Sequence, residues 1–118
     1  MTITLYGIAN CDTVRKARAW LADQGVAYTF HDFARQGVPP ERLDRWLASP
    51  VRDKLLNRQG TTWRKLGADA QSQAEDPHAA RALMLSQPSV IKRPVVEWSD
   101  GEVTVGFDPA RWTVRKNA

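Results

Sequence analysis

TITLYGIANCDTVRKARAWL, residues 2–21, decides the fold. Ile3 and Leu5 alternate with Thr2, Thr4 and Tyr6, the period of a half-buried strand. Gly7 and a short polar turn follow, and Asp12 and Thr13 are residue types that open helices. The period then changes. Val14, Ala17 and Leu21 form one apolar stripe with Trp20 beside it, and Gly25 is a helix stop, so a helix is expected over residues 13–24. The single cysteine, Cys11, falls in the turn between strand and helix. Unpaired backbone N–H groups and the positive end of the helix dipole favour anions at such a point. A thiol held there ionises more readily, and the thiolate is the nucleophile. Arg15, four residues on, shares the helix face and is expected to stabilise the thiolate, while Asp12 opposes it and Asn10 fixes the loop. A lone cysteine is commonly just a small buried hydrophobe. Its place in a turn before a helix, outside any apolar run, makes Cys11 the candidate nucleophile.

Outward from this stretch, residues 26–33 (VAYTFHDF) alternate and are rich in β-branched and aromatic side chains, which predicts a second strand. Strand, helix and strand at this spacing form a βαβ unit with parallel strands. Residues 36–40 (QGVPP) turn the chain into a helix whose apolar face is Leu43, Trp46 and Leu47 and which ends at Pro50. A short helix is expected over residues 51–58, a turn at 60–62 leading into 63–66, a loop or weak helix over 67–76, and a helix over 77–86. Residues 90–98 read as a strand interrupted by Pro94, which belongs at a strand start or bend. Ser99-Asp100-Gly101 is a hairpin turn, residues 102–107 return antiparallel, and Asp108-Pro109 opens a last helix.

Composition bounds the class. The chain has 118 residues, 42% apolar and 25% charged, as expected of one folded domain over residues 1–118. The net charge is +4, but the basic residues are interspersed with acids, so no nucleic-acid partner is expected. One cysteine excludes an intramolecular disulfide framework. With no signal-peptide pattern and no apolar run long enough for a bilayer, a cytoplasmic protein with no membrane partner is expected. His31 and His78 stand apart from Cys11 at no metal-ligand spacing, so no metal is expected. No coiled-coil pattern is present, and a monomer is expected.

The element order is that of the thioredoxin-like fold. Residues 6–13 (YGIANCDT) with Arg15-Lys16-Ala17, then YTFHD at 28–32, Leu55-Leu56-Asn57, GTTWRKL at 60–66, Leu83-Met84-Leu85, Ile91-Lys92-Arg93-Pro94 and Gly106-Phe107 together narrow it. These motifs, in order along nearly the whole chain, resemble the ArsC family and within it the small YffB branch. The resemblance implies an α/β thioredoxin-like fold with a mixed four-stranded sheet and a helical insertion, about residues 39–87, between strands 2 and 3. It also implies that Pro94 follows a cis peptide bond and that the Arg93 region lies beside Cys11.

In the arsenate reductases of this family a cysteine attacks arsenate while three arginines hold the oxyanion; arginine forks suit such anions. Cys11 and Arg93 carry over. Asn57 stands where the second arginine is expected, with Arg58 one position on, and Gln59 occupies the position before the glycine where the YffB pattern has its arginine. Val105-Gly106-Phe107-Asp108 stands where the third would be, and Arg111 is near in sequence. The anion site implied for glutathione or an oxyanion is therefore Arg93, Lys92, Arg58, Asn57 and Pro94. One thiol cannot resolve its own adduct, so a second must come from outside. The resemblance implies a glutathione-dependent thiol oxidoreductase with no bound cofactor, with glutathione as co-substrate or a glutaredoxin as partner, acting on a disulfide or small oxyanion. Arsenate reduction is one alternative. A non-catalytic, Spx-like protein-binding module is another, although Val14 stands where the Spx Cys-x-x-Cys switch has its second cysteine.

Overall fold

The computed structural model describes residues 2–116. The chain opens with strand β1 (Ile3–Gly7), helix α1 (Asp12–Asp23) and strand β2 (Tyr28–Asp32). Six helical segments follow: α2 (Phe33–Gln36), α3 (Pro40–Leu47), α4 (Arg52–Leu55), α5 (Thr61–Lys65), α6 (Ala68–Gln73) and α7 (Pro77–Ser86). A 3-10 turn (Pro88–Val90), strands β3 (Val95–Glu97) and β4 (Val103–Val105), and helix α8 (Pro109–Lys116) complete it. The chain divides into two units, Met1–Phe33 with Arg93–Ala118, and Ala34–Lys92.

The first unit is built on a mixed four-stranded sheet of order β2-β1-β3-β4. β1 and β2 are parallel, with Leu5 opposite Phe30 and Tyr6 opposite His31. β3 runs antiparallel to both β1 and β4. The expected α/β architecture, with helices between the second and third strands, is the observed one. Side chains alternate across the sheet, so Leu5 and Val96 share the face on which α1 lays Val14, Ala17 and Leu21. Trp112 of α8 and Trp98 close this core. Trp112 is ringed by edge-to-face contacts with Trp98 at 5.1 Å, Phe107 at 4.9 Å and Trp20 at 5.8 Å. Such pairs contribute beyond the area they bury. Arg115 ties α8 to the β3–β4 hairpin, bonding Asp100 at 3.0 Å and also Glu102, with its guanidinium over the Trp98 ring.

Three strands are shorter than their sequence pattern, and β4 keeps only Val103–Val105 of the expected 102–107, with Gly106 already turning away at φ 88°. Val26 belongs to the helix stop instead of β2: Gly25 takes φ 69°, and the Val26 N–H donates back to the Leu21 carbonyl at 2.9 Å. β3 begins only after Pro94, which has no N–H to give a ladder. Val90 and Ile91, expected in the strand, lie in the 3-10 turn and in an isolated antiparallel bridge to Leu56.

The second unit is held by short helices around Leu43, Trp46, Leu55, Met84, Val90 and Ile91, all buried. Asn57 N–H donates to the Val90 carbonyl and Lys92 N–H to the Leu55 carbonyl, each at 2.7 Å, which clasps the two ends of the bridge. Arg81 of α7 grips Asp44 of α3 with two hydrogen bonds, at 2.6 and 3.2 Å. The Arg81 guanidinium holds the Asp44 carboxyl below its ordinary range. Residues 61–62, expected as a turn, are already helical, and part of the polar 67–76 stretch forms α6. Asp76 caps α7 by accepting the Ala79 N–H at 3.1 Å.

Candidate active site

Cys11 is the N-cap of α1, in an extended conformation (φ −136°, ψ 125°). Its carbonyl accepts the first helical bond, from Arg15 N–H at 2.9 Å. The thiol is half-buried and packs against the rim of the core formed by Leu5, Val14 and Ala17. Two opposing influences act on it. Burial pushes the thiol up. Against this, the Val14 N–H, a hydrogen bond from the Arg93 side chain, the Arg93 charge and the Thr13 N–H all favour the thiolate. The second group prevails, and the thiol is held below its ordinary value. This is the arrangement that the start of a helix makes available to an anion, with a guanidinium added.

The arginine facing the sulfur is Arg93. Arg15, expected in that role, is exposed and engaged elsewhere: it forms an ion pair with Asp12, and its other arm reaches Asn10 Oδ1 at 3.3 Å. The (i, i+3) carboxylate is nearer along the helix than the N-cap thiol, and it captures the cation. Asn10 accordingly joins the loop to α1 through Arg15. Arg93 reaches Cys11 from the segment leading into β3, where it is followed by the buried Pro94 through a cis peptide bond. The Pro94 carbonyl accepts the Gly106 N–H at 2.9 Å, fixing this segment to the end of β4.

The remaining candidates belong to the second unit. Asn57 is used by its own turn, its Oδ1 accepting the Gln59 N–H and its backbone carbonyl the Gly60 N–H, both at 3.3 Å. Arg58 is exposed, with its guanidinium 5.7 Å from the centre of the Trp63 ring. Lys92 is exposed at the side chain, while its backbone closes the bridge to Leu55. Where a third arginine is expected, Gly106 takes φ 88° and Phe107 joins the aromatic cluster around Trp112. Arg111 is exposed and lies 3.9 Å from Asp108. Among the described residues, no group of three or more His, Cys, Asp or Glu side chains is placed to hold a metal ion, and no helix is long and apolar enough to cross a membrane.

The ArsC family pattern matches residues 6–114, which include every residue of this site. The chain belongs to the ArsC family. Among solved structures, the YffB protein is 47% identical with a TM-score of 0.88, covering 96% of this chain and 97% of its own. An arsenate reductase related protein of Brucella melitensis is 51% identical with a TM-score of 0.76, over 100% of this chain and 97% of its own. The global transcriptional regulator Spx of Staphylococcus epidermidis is 23% identical over 109 residues, 90% of this chain and 80% of the regulator. Arg93 as the cation at the thiol carries no local signal in the sequence. Only the family motif that includes Ile91-Lys92-Arg93-Pro94 points to it.

Proposed function

We propose that this ArsC-family chain is a single-cysteine thiol oxidoreductase in which Cys11 is the nucleophile and glutathione is the second thiol. The observation that carries the reading is the Arg93 guanidinium, together with the Val14 and Thr13 N–H groups, favouring the thiolate of the chain's one cysteine. In the first step the Cys11 thiolate attacks the glutathione sulfur of a mixed disulfide. A Cys11–glutathione disulfide forms, and the substrate leaves as its thiolate. In the second, a glutathione thiolate, acting alone or bound to a glutaredoxin, attacks the glutathione sulfur on Cys11. Glutathione disulfide leaves, and the Cys11 thiolate returns. The two electrons pass from glutathione to the substrate disulfide, and no bound cofactor takes part. Arg93 stabilises Cys11 both as attacking and as leaving group, and with the Pro94 segment it is the proposed contact for the carboxylate of glutathione.

Arsenate is the second substrate class, favoured by the likeness to the Brucella melitensis arsenate reductase related protein. Phe107 argues against it as the main substrate, because an aromatic ring stands where a third charge-assisted contact is expected. The Spx likeness favours a protein-binding module instead. One experiment separates these. The chain is mixed with a glutathione mixed disulfide at neutral pH and followed by intact mass. The proposal expects a glutathione adduct on Cys11, cleared by added glutathione and absent in Cys11→Ser. No adduct, or one forming no faster than on an unstructured cysteine peptide, sinks it. Arsenate consumption without disulfide exchange moves the activity to arsenate.

A further inference from the structure

We infer that Gly7 is a positioning residue for the thiol: its missing side chain is the space into which Val14 packs, and this contact sets the start of α1 under Cys11. The inference rests on Cys11 being the working thiol. Gly7 ends β1 and is buried. A Cβ placed on it would stand 2.7 Å from Val14 Cγ2, closer than carbon atoms approach, and a tight 3.3 Å from Cγ1, but an ordinary 3.6 Å from Val14 Cβ. Gly7 does not have a left-handed backbone, so the requirement is for space and not for glycine's conformational freedom. Val14 cannot give way easily. It is 0% exposed and wedged among Leu5, Ala17, Leu21 and Val96, and a β-branched side chain on a helix has one favoured rotamer.

The consequence for the thiol follows from the backbone. The residue that fills the space at Gly7 is the same residue whose N–H acts on Cys11, and Thr13 beside it supplies the other N–H. Displacing Val14 outward therefore shifts the first turn of α1, with Cys11 as its N-cap, relative to Arg93, which comes from the segment leading into β3. The strand end thus fixes, through one side-chain contact, where the helix start that carries the thiol stands relative to Arg93. A guanidinium's effect on a thiolate falls with the distance between them.

The test reads the thiol pKa from the pH dependence of iodoacetamide alkylation, with no substrate present. Gly7→Ala is expected to raise it and to slow alkylation at pH 7 by about three- to tenfold. Val14→Ala, which slackens the same contact from the helix side, raises it by less. Leu21→Ala, equally buried on the same helix, leaves it in place while lowering the urea midpoint. The double variant Gly7→Ala/Val14→Ala, whose two methyls meet at ordinary contact, returns the rate to within about twofold of the starting chain. A folded Gly7→Ala with an unshifted profile overturns the inference. So does a double variant no closer to the starting chain than Gly7→Ala. If Gly7→Ala does not fold, equal profiles for Val14→Ala and Leu21→Ala overturn it. Loss of glutathione exchange with this pKa pattern intact counts against the proposed function and leaves the positioning role standing.

Discussion

Gly7 and Gly60 each precede a helix, and both are bound up with expected functional residues. Gly7 leads to α1 and Cys11; Gly60 is the N-cap of α5 and closes the turn of Asn57 and Arg58. A Cβ at either would clash, at 2.7 Å with Val14 Cγ2 or at 2.8 Å with Asn57 Nδ2. The neighbours differ in kind. Val14 is a stiff apolar side chain in a closed core, whereas Asn57 is a half-buried amide whose bonds serve the turn itself. At Gly7 the polar groups of the turn, the N–H donors of Thr13 and Val14, act on an ionisable sulfur. At Gly60 they are consumed locally, Asn57 by Gln59 and Gly60, and Arg58 by the face of Trp63. A turn becomes a candidate site when its packing is apolar and its donors are left for the sulfur; one that bonds to itself is scaffold.

Four results would break or sharpen this contrast. The largest effect is expected from Cys11→Ser, which abolishes glutathione adduct formation by intact mass and leaves the urea midpoint within about 1 kcal/mol of the starting chain. Next is Arg93→Ala. The Cys11 thiol is an acid held below its ordinary value, so its thiolate persists to lower pH than that of a free thiol. Removing Arg93 shifts the alkylation profile to higher pH and slows the pH 7 rate by about tenfold. Arg93→Lys retains part of the effect, and Arg15→Ala changes the rate by less than about twofold. An Arg15→Ala shift as large as that of Arg93→Ala would return the thiolate role to Arg15. Third, Gly7→Ala lowers stability in urea by about 1–3 kcal/mol and Gly60→Ala by less, because only Asn57 has room to move. Equal costs would erase the distinction between closed core and open turn. Smallest, Asn57→Ala costs about 1 kcal/mol and Arg58→Ala about 0.5 kcal/mol of stability, read from urea midpoints. If either instead weakens glutathione exchange with stability unchanged, that residue belongs to the anion site.

What could be read from residues alone was local. The alternation of Ile3 and Leu5, the stripe of Val14, Ala17 and Leu21, the stop at Gly25 and the hairpin at Ser99–Gly101 each depend on neighbours a few positions away, and each appears where its pattern placed it. The placement of Cys11 at a helix start follows from the same short-range rules. Its choice of arginine does not. Spacing favoured Arg15 because four residues make one helical turn, but a carboxylate three residues away outcompetes a thiol for that guanidinium. The cation that faces the sulfur comes from a segment fixed by pairing of β3 with β1 and by the Pro94 carbonyl, contacts between residues far apart in the chain. The fates of Asn57 and Phe107 are of the same kind: hydrogen-bond geometry and aromatic packing set them. Residue order determined the elements and the thiol's place among them. Only the tertiary structure decided which charge meets the thiol, because electrostatic partners are chosen by distance in space.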